Sequence, residues 1–131
     1  MTARRIDGLV RAAEIQEEAA SRAAELRRRG VLPTLAMMRI GEDPASVVYL
    51  RKKAEASQAV GVTTREVILP ADAHPSAARD ALRGLNEDPG VHGILLQLPL
   101  PRGFDAMALR DLIDPAKDVE GFHPGKVGER V

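Results

Sequence analysis

Three short apolar runs constrain this chain more than any other feature. Thr34–Ile40 (TLAMMRI), residues 62–69 (VTTREVIL) and residues 91–96 (VHGILL) are each parted from the next by a segment of helical character. Strands separated by helices do not fold onto one another as hairpins. They pair side by side in parallel, with the helices crossing over the faces. The expected fold is therefore α/β, a three-layer sandwich with a mostly parallel sheet flanked by helices.

The helical segments carry their own punctuation. A first helix is expected over residues 9–29, with Leu9, Ala12 or Ala13, Ile15, Ala19, Ala23 and Leu26 on one face and Gly30 as its stop. Asp43 as N-cap and Pro44 at the first helical position open a second helix over 45–60, ended by Gly61. His74-Pro75-Ser76 opens a third that runs to Asn86, and Asp88-Pro89-Gly90 is the turn after it. A short helix over 104–113 lies between Pro101 and Asp114-Pro115. Neither an internal repeat nor a low-complexity linker interrupts the pattern, so one domain over 1–131 is expected.

Composition closes several function classes. Nineteen basic and nineteen acidic side chains cancel, and Tyr49, Phe104 and Phe122 are the only aromatics. A nucleic-acid binder needs a basic face or aromatic platforms, so no nucleic acid is expected as a partner. The run Arg27-Arg28-Arg29 closes the first helix, where cations suit the dipole, and reads as a solvated helix end. Without cysteine there are no disulfides, thiolate metal sites or cysteine nucleophiles. His74, His92 and His123 lie too far apart to suggest a metal site, and none is expected. No apolar leader or membrane-length run is present, so a cytoplasmic protein with no membrane partner is expected.

In open parallel sheets, ligands bind beyond the carboxyl ends of the strands, which points to the loops 41–49, 97–103 and 114–128. Tyr49 and Lys53 are four residues apart and share a helix face. The ring can stack on a conjugated ligand while the amine reaches a polarised atom; a packed tyrosine and a solvated lysine would give the same spacing. Gln97 ends a very apolar strand, and an amide there needs a hydrogen-bond partner. Asp118 and Glu120 stand two apart in an extended stretch, which sends both carboxylates the same way. The stretch Gly121-Phe122-His123-Pro124-Gly125-Lys126-Val127 is one residue short of a phosphate loop and has Val after the Lys. Neither Gly-x-Gly-x-x-Gly nor a nucleophile elbow occurs.

Taken together, the motifs resemble one family. They are Gly41-Glu42-Asp43-Pro44-Ala45-Ser46, Tyr49-x-x-x-Lys53, Gly61-Val62, Leu85-Asn86-Glu87-Asp88-Pro89, His92-Gly93-Ile94, Gln97-Leu98-Pro99-Leu100-Pro101 and Lys117-Asp118-Val119-Glu120-Gly121-Phe122-His123-Pro124. The chain resembles, over nearly its whole length, the N-terminal catalytic domain of bifunctional methylenetetrahydrofolate dehydrogenase/methenyltetrahydrofolate cyclohydrolases. The resemblance implies tetrahydrofolate derivatives as ligands, with Lys53 as catalytic acid/base and Gln97 holding and tuning it. It implies Tyr49 stacked on the aminobenzoyl group, Glu120 on the pterin edge, and Leu98 and Pro99 beside the substrate. A lysine that shuttles protons must be reachable as the neutral amine, which burial or a cationic substrate favours.

The resemblance implies NADP, or NAD in some members, on a separate Rossmann domain. Residues 1–131 are expected to lack that domain and to bind no cofactor, so an NAD(P)-binding partner domain is implied. Glu120 stands where the family has aspartate, Gly103 and Phe104 are atypical, and Lys126 replaces an asparagine. Two alternatives stay open: a non-enzymatic folate-binding or regulatory paralogue, and an inert truncated gene product.

Overall fold

Alternation along β1 (Thr34–Ile40) decides the layering. Ala36, Met38 and Ile40 point to one face of the sheet and Leu35 and Met37 to the other, and Ala36, Met37 and Met38 are wholly buried. A strand apolar on both faces belongs in the middle of a sheet covered on both sides. The computed structural model, which describes residues 2–120, places it there. The strand order is β2-β1-β3, with β2 at Thr63–Leu69 and β3 at Gly93–Leu96, and both pairings with β1 are parallel. The register sets Thr34 against Thr63 and Leu35 against Gly93.

Helix α2 (Pro44–Ala59) covers the face of Met37 and Leu95 and packs its own Leu50 against them. Helices α3 (Pro75–Glu87) and α4 (Ala106–Leu112) cover the other, where Leu82, Ala78 and Leu85 meet Ile94, Leu96, Leu109 and Ile113. The result is a three-layer α/β sandwich whose described sheet is wholly parallel. Asp43 accepts a hydrogen bond from the Ser46 amide as the N-cap of α2, with Pro44 following it. At the far end, Gly61 adopts φ +89° while its amide donates to Gln58 and that of Val62 to Ser57, a six-to-one and five-to-two pair that only a left-handed residue closes.

Several expectations are corrected. The first helix, α1, runs Thr2–Arg28, so Gly8 lies within it rather than ahead of it; one interior glycine costs only about 1 kcal/mol. Its apolar stripe is not buried: Ile15 is 58% exposed, and Ala23 is the one buried residue of α1 among the described side chains. Ala23 is too small to carry its neighbours inward, and it packs close to Gly61. The third strand begins at Gly93 rather than Val91, because the Val91 amide closes the turn back to Asp88. Helix α4 begins at Ala106 because Asp105 caps it through the Ala108 amide. The readings made on Phe122, His123 and Lys126 lie outside the described residues.

Candidate functional site

Gln97 follows β3 directly, and its side chain is fixed at both ends. It is 7% exposed; Nε2 donates to the Leu98 carbonyl at 3.0 Å, and Oε1 accepts from Lys53 Nζ at 3.0 Å. The first bond decides which way the amide faces, so its oxygen must point at the lysine. Leu98 O also accepts from the Ser46 hydroxyl at 3.2 Å, which ties the start of α2 to the loop after β3. Ser46 is buried, and sequence reasoning missed it. Its only signal was a small polar residue three places after the Asp43 cap. The Leu98–Pro99 peptide is cis, with Leu98 half-buried and Pro99 exposed.

Lys53 reaches this amide from α2. Its side chain is 41% exposed rather than buried, and Glu120 Oε1 stands 3.8 Å from Nζ. The ion pair is a loose one between partly exposed partners, worth at most about 1 kcal/mol. Tyr49 sits one turn ahead of Lys53 on α2 and is 54% exposed, leaving its ring free of the core. Lys53, Gln97 and Glu120 are thus brought together; Tyr49, Leu98 and Pro99 make no described contact with the amine, and Pro99 lines a separate cleft with Gly41, Asp43 and Pro101.

The groove beside Lys53 has a volume of about 370 Å³ and is open to solvent, walled by Ala56 and Ser57 of α2 and by Val119 and Glu120. Leu35 and Leu95 form its floor. The groove is thus not confined to the loops beyond the strand ends; part of it lies on the sheet itself. Asp118 and Glu120 both line one small cavity with Arg110, but only Glu120 also lines the groove and reaches Lys53. They differ in burial, since Asp118 is buried and forms an isolated parallel bridge with Ile94.

Further from the groove, Asp88 has its carboxyl held below the usual carboxylate range. The first cause is the hydrogen bond from Arg65 Nη1 at 2.7 Å, followed by the Gly90 amide, with the Arg65 and Lys117 charges adding. No three His, Asp or Glu residues converge for a metal among the described residues. Nor is any described helix long and apolar enough to cross a membrane.

The fold is thus a parallel α/β sandwich in which a lysine, held by a strand-end glutamine, stands beside an open groove. The chain belongs to the tetrahydrofolate dehydrogenase/cyclohydrolase catalytic-domain family, whose model matches residues 6–120. It is 48% identical over 128 residues to the bifunctional protein FolD of Azoarcus sp. (strain BH72), covering 98% of this chain and 44% of that protein. The solved FolD dehydrogenase/cyclohydrolase from Campylobacter jejuni superposes with a TM-score of 0.88 at 35% identity, over 93% of this chain and 43% of that one. The Trypanosoma brucei FolD structure, complexed with NADP and an inhibitor, gives a TM-score of 0.83 at 35% identity, over 92% and 41%. The chain spans under half the length of these relatives.

Among the described residues no strand-to-helix turn carries the glycine fingerprint of a dinucleotide site. A pyrophosphate is held by free amides at a helix N-terminus. Here each helix that follows a strand spends such an amide on its own cap: Ser46 on Asp43, Ser76 on His74 and Ala108 on Asp105. Glu42 and Asp43 further place acid where α2 begins.

Proposed function

We propose that the groove beside Lys53 binds a tetrahydrofolate, and that Lys53 carries the protons for hydrolysis of methenyltetrahydrofolate to formyltetrahydrofolate. The carrying observation is the 3.0 Å bond from Lys53 Nζ to an amide oriented by Leu98 O. In this reading Tyr49 stacks on the aminobenzoyl ring, Glu120 accepts from the amino and N–H donors of the pterin edge, and Leu98 and Pro99 wall the entrance.

The chemistry asks for one proton carrier in two steps. The methenyl carbon bridges two nitrogens in a conjugated cation and is electrophilic. Water adds to it, the new C–O bond forms, and a neutral Lys53 amine takes the water proton. The carbinol then collapses to the formyl group as its bond to the ring nitrogen breaks. The lysine returns its proton to that nitrogen, and the hydroxyl proton leaves to solvent, so one proton is released per turnover. Gln97 holds the amine on one line throughout, and a fixed direction lowers the entropic part of the barrier. A dehydrogenase step would draw its NADP from a nucleotide-binding unit beyond the residues described, as the complex named for the Trypanosoma brucei relative suggests.

The test is the loss of methenyltetrahydrofolate absorbance with this chain and with Lys53→Met. The variant is expected to lose at least ~100-fold in rate, the usual worth of general acid–base catalysis, while folate binding survives. An unchanged rate sinks the reading. Glu120 beside the amine favours a second reading, folate binding without turnover, because a carboxylate pairs with the ammonium. Saturable binding with no absorbance loss in the parent chain would select it.

A further inference from the structure

The segment that carries Glu120 is tied down far from the groove. Lys117 Nζ donates to three carbonyls at the end of α3, Leu85 at 3.0 Å, Asn86 at 2.8 Å and Asp88 at 2.8 Å. An ammonium has three protons, and here each finds an acceptor, at the helix end where the dipole favours a cation. Asn86 holds the same segment a few residues earlier: Nδ2 donates to Leu112 O at 2.7 Å, and Oδ1 accepts from the Asp114 amide at 2.9 Å. The Lys117 carbonyl then takes the Ile94 amide at 2.7 Å, and Asp118 bridges to β3.

Beyond that bridge the chain has little freedom. A Cβ built on Gly93 would lie 2.6 Å from Val119 Cγ1, so Val119 rests on the space a side chain would fill. Glu120 follows directly, with its carboxylate 3.8 Å from the Lys53 amine. We infer that Lys117, with Asn86, is a positioning residue: it touches no ligand, and it sets where Glu120 stands relative to Lys53 and the groove. The inference rests, for its effect on folate, on the proposal that Glu120 grips the pterin edge. It also gives a use to Asn86 and Asp88, whose motif has no part in the chemistry.

Two measurements on the full chain test it. The first is the yield of the Lys53–Glu120 amide formed by a zero-length carbodiimide cross-linker, quantified by mass spectrometry with no ligand present. The second is calorimetric affinity for folinic acid, a stable formyltetrahydrofolate. Lys117→Met is expected to lower the cross-link several-fold and to weaken folinic acid about tenfold, most of one charged hydrogen bond. In a Glu120→Ala background the same substitution should cost nothing more, since both act through one carboxylate. Parent-level cross-linking in folded Lys117→Met, or a folate loss that adds fully to that of Glu120→Ala, overturns the inference. If Lys117→Met does not fold, Asn86→Ala carries the same test by removing the other anchor, with the same outcomes deciding. Should Glu120→Ala bind folinic acid like the parent while Lys117→Met still loses the cross-link, the pterin assignment fails and the positioning role stands.

Discussion

The two faces of the sheet are built unequally. Against α3 and α4 the buried cluster joins eleven side chains from both strands and helices, with Val67, Leu69 and Phe104 packed around it. Under α2 it is three, Met37, Leu50 and Leu95. The thick face has an apolar stripe spaced for a helix, Ala78, Leu82 and Leu85, and holds the fold. The thin face leaves room, and there the lysine, the buried amide and the open groove are found. A polar site next to a thick core would force costly desolvation, whereas a thin one lets Lys53 keep part of its hydration. The larger core and the candidate site thus lie on opposite sides of one central strand.

The sharpest way to break that division is Leu82→Ala. Leu82 is wholly buried in the thick face, so the substitution should cost about 2–5 kcal/mol in urea unfolding. Folate affinity of the folded fraction should not change; a parallel loss of affinity would mean that the two faces are coupled. Lys53→Met is the mirror experiment. It should remove about 2.7 kcal/mol of transition-state stabilisation, the equivalent of 100-fold, yet cost about 1 kcal/mol or less in unfolding, chiefly the lost bond to Gln97.

Glu120 comes next in size. Glu120→Ala should lose about 1.5–3 kcal/mol of folate binding, the scale for hydrogen bonds to a charged group, with little change in the melting temperature. Glu120→Asp should tighten folate or raise turnover if the extra methylene sets the pterin off its best geometry; equal affinity across all three forms would remove the residue from the site.

The smallest effect belongs to the thick side's edge, where Arg65 holds the Asp88 carboxyl below its ordinary range. A depressed carboxyl stabilises the fold above its unfolded pKa, and that contribution is lost as pH falls through the lower folded value. The stability difference between the parent and Arg65→Ala should therefore be level near neutrality and shrink in acid, below the ordinary aspartate pKa of about 3.9. A difference that does not vary with pH would assign it to packing.

Local signals were the legible part of the sequence. Thr34–Ile40 emerged with both its bounds because Pro33 and the turn at Gly41 bracket one apolar run, and Asp43, Gly30 and Gly61 marked helix ends by their own chemistry. The first helix misled because a 3.6-residue period shows which residues share a face but not whether anything covers it; Ile15 stands on such a face in the open. In the site, the one-turn spacing placed Tyr49 by Lys53 on α2, whereas period two did not show that only Glu120, and not Asp118, reaches the groove. The 3.0 Å link between Lys53 and Gln97 joins residues 44 apart in sequence, and no local pattern encodes it. Resemblance to a family supplied that pair. Lys117 was invisible for the same reason, since its three acceptors converge only when the end of α3 folds back to meet it.

The scarcity of aromatic rings has an optical consequence. Tyr49 is the only tyrosine and there is no tryptophan, so near-ultraviolet emission from this chain comes from a single ring on α2, one turn from Lys53. That ring is already half in solvent. A conjugated ligand laid against it would quench it directly. On the proposed stacking, that emission would fall as a folate fills the site, while far-ultraviolet dichroism follows the fold.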